Sequence, residues 1–244
     1  MTSDMYVTLA DVFNAVRKNP PLLRLLVAFL PVNLFGGMSS GVIYLYVDTY
    51  LGLGEQFPAV MLLAMLAGIV GIPLWSALAA RYERHRVWAA SLITGGTAAA
   101  TLALLSPGPL ALPLVLVIYP VVALTVMGAV IVLTMSADIV DYGRLVTGED
   151  HAGLYGSIFA FLQKSLLGVS AAAGLALVGT FGFDATATSQ TASGILGIKF
   201  TGALLPALGL LGAAALIWNY PLTRARVAEI QEQLRGTEEV ETRP

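Results

Sequence analysis

Lys164 is the only formally charged residue between Gly153 and Phe183, in the run GLYGSIFAFLQKSLLGVSAAAGLALVGTFGF. A run of this length crosses a bilayer as a helix of about 20 residues, and an ammonium inside it costs about 2.5 to 3.5 kcal/mol on insertion scales. Intramembrane lysines therefore tend to face a bundle interior or a watery path. Two chemistries are open to such a group: ion pairing with carboxylates, or hydrogen bonding as the neutral amine where no acid comes near. Snorkelling to the interface is the competing explanation for lysines near helix ends. A helix that begins near Gly153 carries Lys164 about 16 Å along its axis, close to the middle of the hydrocarbon, where snorkelling is hard. Gly153, Ser157, Ala160, Lys164, Gly168 and Ala171 fall on one helical stripe, so the lysine rises from small residues that admit another helix or water. Ser157 and Gln163 join Lys164 as candidate substrate-binding or coupling residues.

A second polar face lies in the first apolar run. Asn33, Gly37, Ser40, Gly41 and Tyr44 stand at i, i+4, i+7, i+8 and i+11. Asn33 and Tyr44 are candidates for lining a cavity, while Gly37 and Gly41 form a GxxxG pair that equally suits close helix packing. Other chemistries find less support. His85 and His151 stand alone in loops without the companions a metal needs, and no metal site is expected. Asp138 and Asp141 have no nucleophile beside them, and the glycines lack phosphate-loop spacing, so neither an enzyme nor a bound cofactor is expected.

The elements that must position these residues follow from composition. The chain has 244 residues, 57% hydrophobic and 11% charged, against about 25% charged in a soluble domain. With a mean hydropathy of +0.80 it reads as an all-α integral membrane protein. The basic residues are too scattered for a nucleic-acid face, and the absence of cysteine excludes disulfides and thiol chemistry. The start, MTSDMYVTLADVFNAVRKNPP, lacks the apolar core of a cleavable signal and is expected to hold an amphipathic helix over 8 to 18 at the membrane surface.

Six spans are predicted, at about 22–46, 57–80, 87–105, 110–135, 153–180 and 200–218. The charge-free stretch from Val87 to Ala137 is divided by Ser106-Pro107-Gly108-Pro109. Residues 1–21 form a linker, 136–152 a loop, and 221–244 a tail in which Val227, Ile230 and Leu234 keep helical spacing before a charged end expected to be disordered. Arg17, Lys18, Arg24, Arg81, Arg84, Arg86, Arg144, Arg224, Arg226, Arg235 and Arg243 fall on one side of these spans and only Lys199 on the other. The positive-inside rule then places both termini, and the acidic loop, in the cytoplasm. Arg81, Arg84, Arg86, Asp138, Asp141 and Tyr142 meet there as a candidate cytoplasmic gate.

SADIVDYGRLVTG followed by GLYGSIFAFLQK resembles the signature of the glycoside-pentoside-hexuronide:cation symporters, the melibiose-permease-like branch of the major facilitator superfamily. Ala137, Asp138, Asp141, Tyr142, Thr147 and Gly148 match that family's loop, and Lys164 its embedded lysine. LADVFNAVRKNPPLLRLLVAFL, PLWSALAARYERHRVW and NYPLTRARVAEIQEQL resemble its central linker, a helix-eight-to-nine turn and its end. The resemblance implies half of a major-facilitator fold, two three-helix repeats, aligned with the carboxy-terminal six helices of a twelve-helix sugar:cation symporter in the cell membrane. It implies alternating access about a midplane site, a small-molecule substrate, and co-transported sodium or proton held mostly by the amino-terminal half. No acidic residue falls inside a predicted span here, so the expected partner is a complementary six-helix half or second membrane chain. Asp138 and Asp141 would pair with that half's basic loops.

The match has departures. Asp150, His151 and Ala152 replace the basic residue and glutamate that commonly precede the next helix, Ala160 stands one turn before Lys164, and the fourth span lacks tryptophan. A greasier pocket suits a lysolipid or other amphiphile carrier of the same family. A non-transporting assembly subunit or inactive fragment is a further alternative, since small-residue faces also serve assembly alone.

Overall fold

The computed structural model describes residues 16–187 and 189–241, and these residues contain helices and no strand. The amphipathic helix expected over 8 to 18 falls, up to residue 15, outside them. Asn19 caps α1 (Pro20–Leu45) by accepting the Leu22 N–H at 3.0 Å, and Pro20 and Pro21 occupy the first turn, where an amide hydrogen has no helical partner. Wider π-type hydrogen bonding carries the helix on through Tyr46–Tyr50. After it come α2 (Phe57–Arg81) and α3 (Arg84–Leu104). The fourth span is composite: α4 (Ala111–Val126), a 3₁₀ turn at Met127–Ala129, and α5 (Val130–Thr147). Then follow α6 (Ala152–Thr180), α7 (Ala192–Lys199) joined through a π segment at Phe200–Leu204 to α8 (Leu205–Ile217), and α9 (Arg224–Glu241). Six of these stretches are long and apolar enough to cross a membrane, so the chain is an integral multi-pass membrane protein.

The packing divides the spans into two triplets. The first span packs on the fifth and sixth, the fourth packs on the second and third, and the third meets the sixth. Exchanging spans one to three with four to six leaves this pattern unchanged, as two three-helix repeats require. Glycines set the close approaches. A Cβ on Gly41 would lie 2.6 Å from the Ala171 carbonyl oxygen and one on Gly174 2.5 Å from that of Met38, which fixes α1 against α6. Gly71 does the same for the second and fourth spans, 2.5 Å from the Leu124 carbonyl oxygen, and Trp75 donates its indole N–H to that oxygen at 2.9 Å. One apolar core, including Leu25, Trp88, Ile139 and Ile217, lies toward the basic end; a second, including Val42, Tyr46, Val115 and Ile198, lies toward the other.

Four expectations change. Residues 136–147 are helix rather than loop, ending where Gly148 adopts φ 75° and donates to the Arg144 carbonyl at 2.9 Å. Charged residues suggested a loop because they leave the hydrocarbon, yet Met135, Asp138, Ile139 and Gly143 keep a buried helical stripe beyond it. The sixth span starts at Ala192, capped by Thr191, so Lys199 sits inside a helix with its ammonium 5.2 Å from the centre of the Tyr50 ring. The tail is helical to Glu241, because Val227 and Ile230 bury themselves against the bundle end. His85 is buried rather than solvated, since α3 begins one residue before it.

Candidate functional site

Two polar regions stand out, one open and one closed. The open one is a face of α6. Ser170, Gly174 and Val178 repeat every fourth residue and are buried, with Ser170 against Gly37 and Gly174 against Met38 of α1. Lys164 and Leu166 differ by two residues, about 200° around a helix, so a helix that turns the Leu166 side toward α1 turns Lys164 away. Gly153, Ser157, Ala160, Gln163, Lys164 and Gly168 are all exposed, and nothing lies within 4 Å of the place a Gly168 Cβ would take. No described residue forms a hydrogen bond or ion pair with Lys164, and Gln163 is equally without one. Ser157 donates to the Gly153 carbonyl at 2.7 Å, a local bond that turns no donor toward Lys164.

Asn33 and Tyr44 are not drawn to the lysine by any hydrogen bond. Asn33 is half-buried and donates to the Phe29 carbonyl at 2.9 Å, while exposed Tyr44 meets Phe57 edge-to-face at 5.2 Å. Of the face predicted in α1, Gly37 and Gly41 form the seam with α6, and the polar members remain at its margins. The helices also extend past the predicted spans, so Asp48 lies in the π segment that prolongs α1, and Asp138 and Asp141 lie within α5, rather than in loops.

The closed region is the basic end. Arg84, in the first turn of α3, forms a two-oxygen ion pair with Asp138 of α5, which is 6% exposed. The expected pairing of Asp138 with another half's basic loops is thus corrected: its partner lies in the same chain, because the third and fourth spans pack side by side and bring the two ends together. Asp141 accepts the Gln231 amide of α9 at 3.0 Å, and Tyr142 packs against the apolar core. Arg81 and Arg86 are exposed and do not join the Arg84–Asp138 pair. Sequence reasoning also passed over Asn19, whose amide donates to the Ile139 carbonyl at 3.1 Å and to the Tyr155 hydroxyl at 3.3 Å, tying the start of α1 to α5 and α6. Its only signal was the Asn-Pro-Pro helix start.

The chain is thus a multi-pass membrane bundle of two matched triplets. A family profile described as MFS/sugar transport protein matches residues 1–224, and the chain belongs to that family. It is 31% identical to an uncharacterised symporter of Synechocystis, over 83% of this chain and 38% of the relative. It is 29% identical to a glucuronide carrier protein homolog of Escherichia coli, over 93% of this chain and 49% of the relative. It is 26% identical to a sodium-dependent lysophosphatidylcholine symporter of Danio rerio, over 88% of this chain and 40% of the relative. The chain thus spans less than half the length of these curated relatives.

Proposed function

We propose that this chain acts as the carboxy-terminal six-helix half of a secondary transporter, with Lys164 at the junction between it and a complementary amino-terminal half. The observation that carries the reading is an unpaired ammonium in the middle of a span whose surrounding face of small residues is open. In hydrocarbon that arrangement is unfavourable, so it calls for an acid or a polar ligand from outside the chain. Carboxylates of the complementary half pair with Lys164 when the site is empty and are released when substrate and a sodium ion or proton bind. Occupancy is thereby linked to the rocking of the halves. Gln163 and Ser157 on α6, with Asn33 and Tyr44 on the neighbouring α1, act as secondary substrate contacts. The names of the relatives favour a sugar or sugar acid as substrate, and the lysophosphatidylcholine symporter among them keeps an amphiphile as the second reading.

At the basic end, Arg84 and Asp138 hold the third and fourth spans together, and Arg81 and Arg86 remain for contacts across the gate. The basic asymmetry supports a cytoplasmic position for this end. Glu149→Cys then labels from the cytoplasm and Ser189→Cys from the opposite side, and labelling of both from one side excludes this topology. The functional test is coupled uptake by the chain reconstituted with its complementary half. Lys164→Arg retains substrate binding, and Lys164→Met loses coupled uptake at equal protein level. Unchanged coupled uptake in Lys164→Met refutes the assignment.

A further inference from the structure

Only Tyr155, Ser170, Gly174 and Val178 of α6 are fully buried, so Lys164 lies on a stretch with an anchor at each end and none between. Ser170 and Gly174 form the upper anchor, against Gly37 and Met38 of α1. Tyr155 is the lower one. Its hydroxyl oxygen accepts an amide hydrogen of Asn19 at 3.3 Å, and the other amide hydrogen goes to the Ile139 carbonyl of α5 at 3.1 Å. The Asn19 side-chain oxygen meanwhile accepts the Leu22 N–H at 3.0 Å. Both donors and the oxygen of this one buried side chain are therefore in use, a set of bonds that aspartate, without donors, and serine, with a single hydroxyl, cannot reproduce. The tyrosine ring has room because position 143 is glycine: a Cβ there would stand 2.9 Å from the Tyr155 hydroxyl and 3.3 Å from the Asn19 amide nitrogen. His151 stacks on the same ring, with centres 5.9 Å apart and planes at 19°.

We propose that Asn19 is a positioning residue for Lys164, acting through the Tyr155 hydroxyl to set the rotation of the inner part of α6. Tyr155 and Lys164 are separated by about two and a half helical turns, so they point in opposite directions. Holding Tyr155 inward holds Lys164 outward. The half-buried Leu154, Ile158, Phe159 and Leu162 also pack against the core, but apolar contact is non-directional and tolerates a turn of the helix about its axis. A hydrogen bond from a saturated amide does not, because its strength falls steeply as the angle opens. The inference rests on the reading of Lys164 as the coupling residue, and adds that one amide at the start of α1 sets the direction from which the ammonium meets its partner.

The test uses single thiols in the full chain, which has no cysteine of its own, in lipid nanodiscs. Lys164→Cys reports on the outward side of α6 and Leu162→Cys on a half-buried one. A membrane-permeant maleimide is expected to label the first at least tenfold faster than the second. Tyr155→Phe keeps the ring and removes the hydroxyl, and it lowers that ratio at least fivefold by slowing Lys164→Cys while speeding Leu162→Cys. Asn19→Ser, which keeps a capping oxygen but does not reach Tyr155, has the same effect, and the two changes together do no more than either alone, because they break one bond. A ratio unaltered by Tyr155→Phe overturns the proposal. So does a rise in both rates together, which is loosening of the bundle rather than rotation of α6. The ratio is read without the complementary half or any substrate, so its failure is separate from that of the coupling reading: unchanged coupled uptake in Lys164→Met, with the ratio changing as expected, leaves Tyr155 as a packing anchor and overturns the positioning role.

Discussion

Arg84 and Lys164 are both cations on long apolar helices, and the fold treats them in opposite ways. Arg84 stands at the first turn of α3 and finds Asp138 on the neighbouring span, so its charge is satisfied inside the chain. Lys164 stands in the middle of α6, the least buried of the six spans, and no described residue satisfies it. The pair holds two spans of one bundle together and contributes to stability. The lone lysine contributes nothing that the chain alone can use, because an unpaired ammonium in hydrocarbon opposes insertion. That contrast is what the proposed pairing of Lys164 with a complementary half would resolve.

The largest expected effect that separates the two sites is on the stability of the isolated chain. Arg84→Ala leaves the buried Asp138 carboxylate without its counter-ion, at a cost of about 3 kcal/mol, read as a lower apparent Tm in detergent. Lys164→Met leaves the Tm unchanged or raises it. Equal destabilisation by both substitutions removes the distinction between a structural pair and an open site.

The glycines sharpen the same contrast with a smaller effect. Gly41→Leu forces a side chain against the Ala171 carbonyl and separates α1 from α6, at about 1 to 3 kcal/mol. Gly168→Leu, on the open face of α6 with nothing within 4 Å, leaves the isolated chain intact and weakens its co-purification with the complementary half. A Gly168→Leu chain that assembles normally places that face against lipid.

Much of this was legible in the sequence because the bilayer imposes a strict rule: apolar runs of span length must be helices. The six spans, the isolation of Lys164 and the value of Gly37 and Gly41 for packing follow from that rule and from helical spacing. What escaped were features that depend on the third dimension. Arg84 and Asp138 are far apart in the chain, and only the packing of the third span on the fourth makes them partners. The helices at 136–147 and 224–241 carry charges that suggested a loop and a disordered end, but each keeps a buried stripe, through Ile139 and Gly143 in one and Val227 and Ile230 in the other. His85 looked like a loop residue because basic neighbours flank it, whereas the first turn of α3 turns its ring inward against Tyr220, with ring centres 6.0 Å apart.

The most direct measurement of whether the α6 face is completed by another set of helices uses the absence of cysteine from the chain. Gln163→Cys places a single thiol beside Lys164 while leaving the lysine in place. Its labelling by a membrane-permeant maleimide is expected to be fast in the chain alone, at least tenfold slower once the complementary half is present, and altered again by substrate. Labelling at the same rate with and without that half contradicts the account, because Lys164 would then face lipid in the assembled protein.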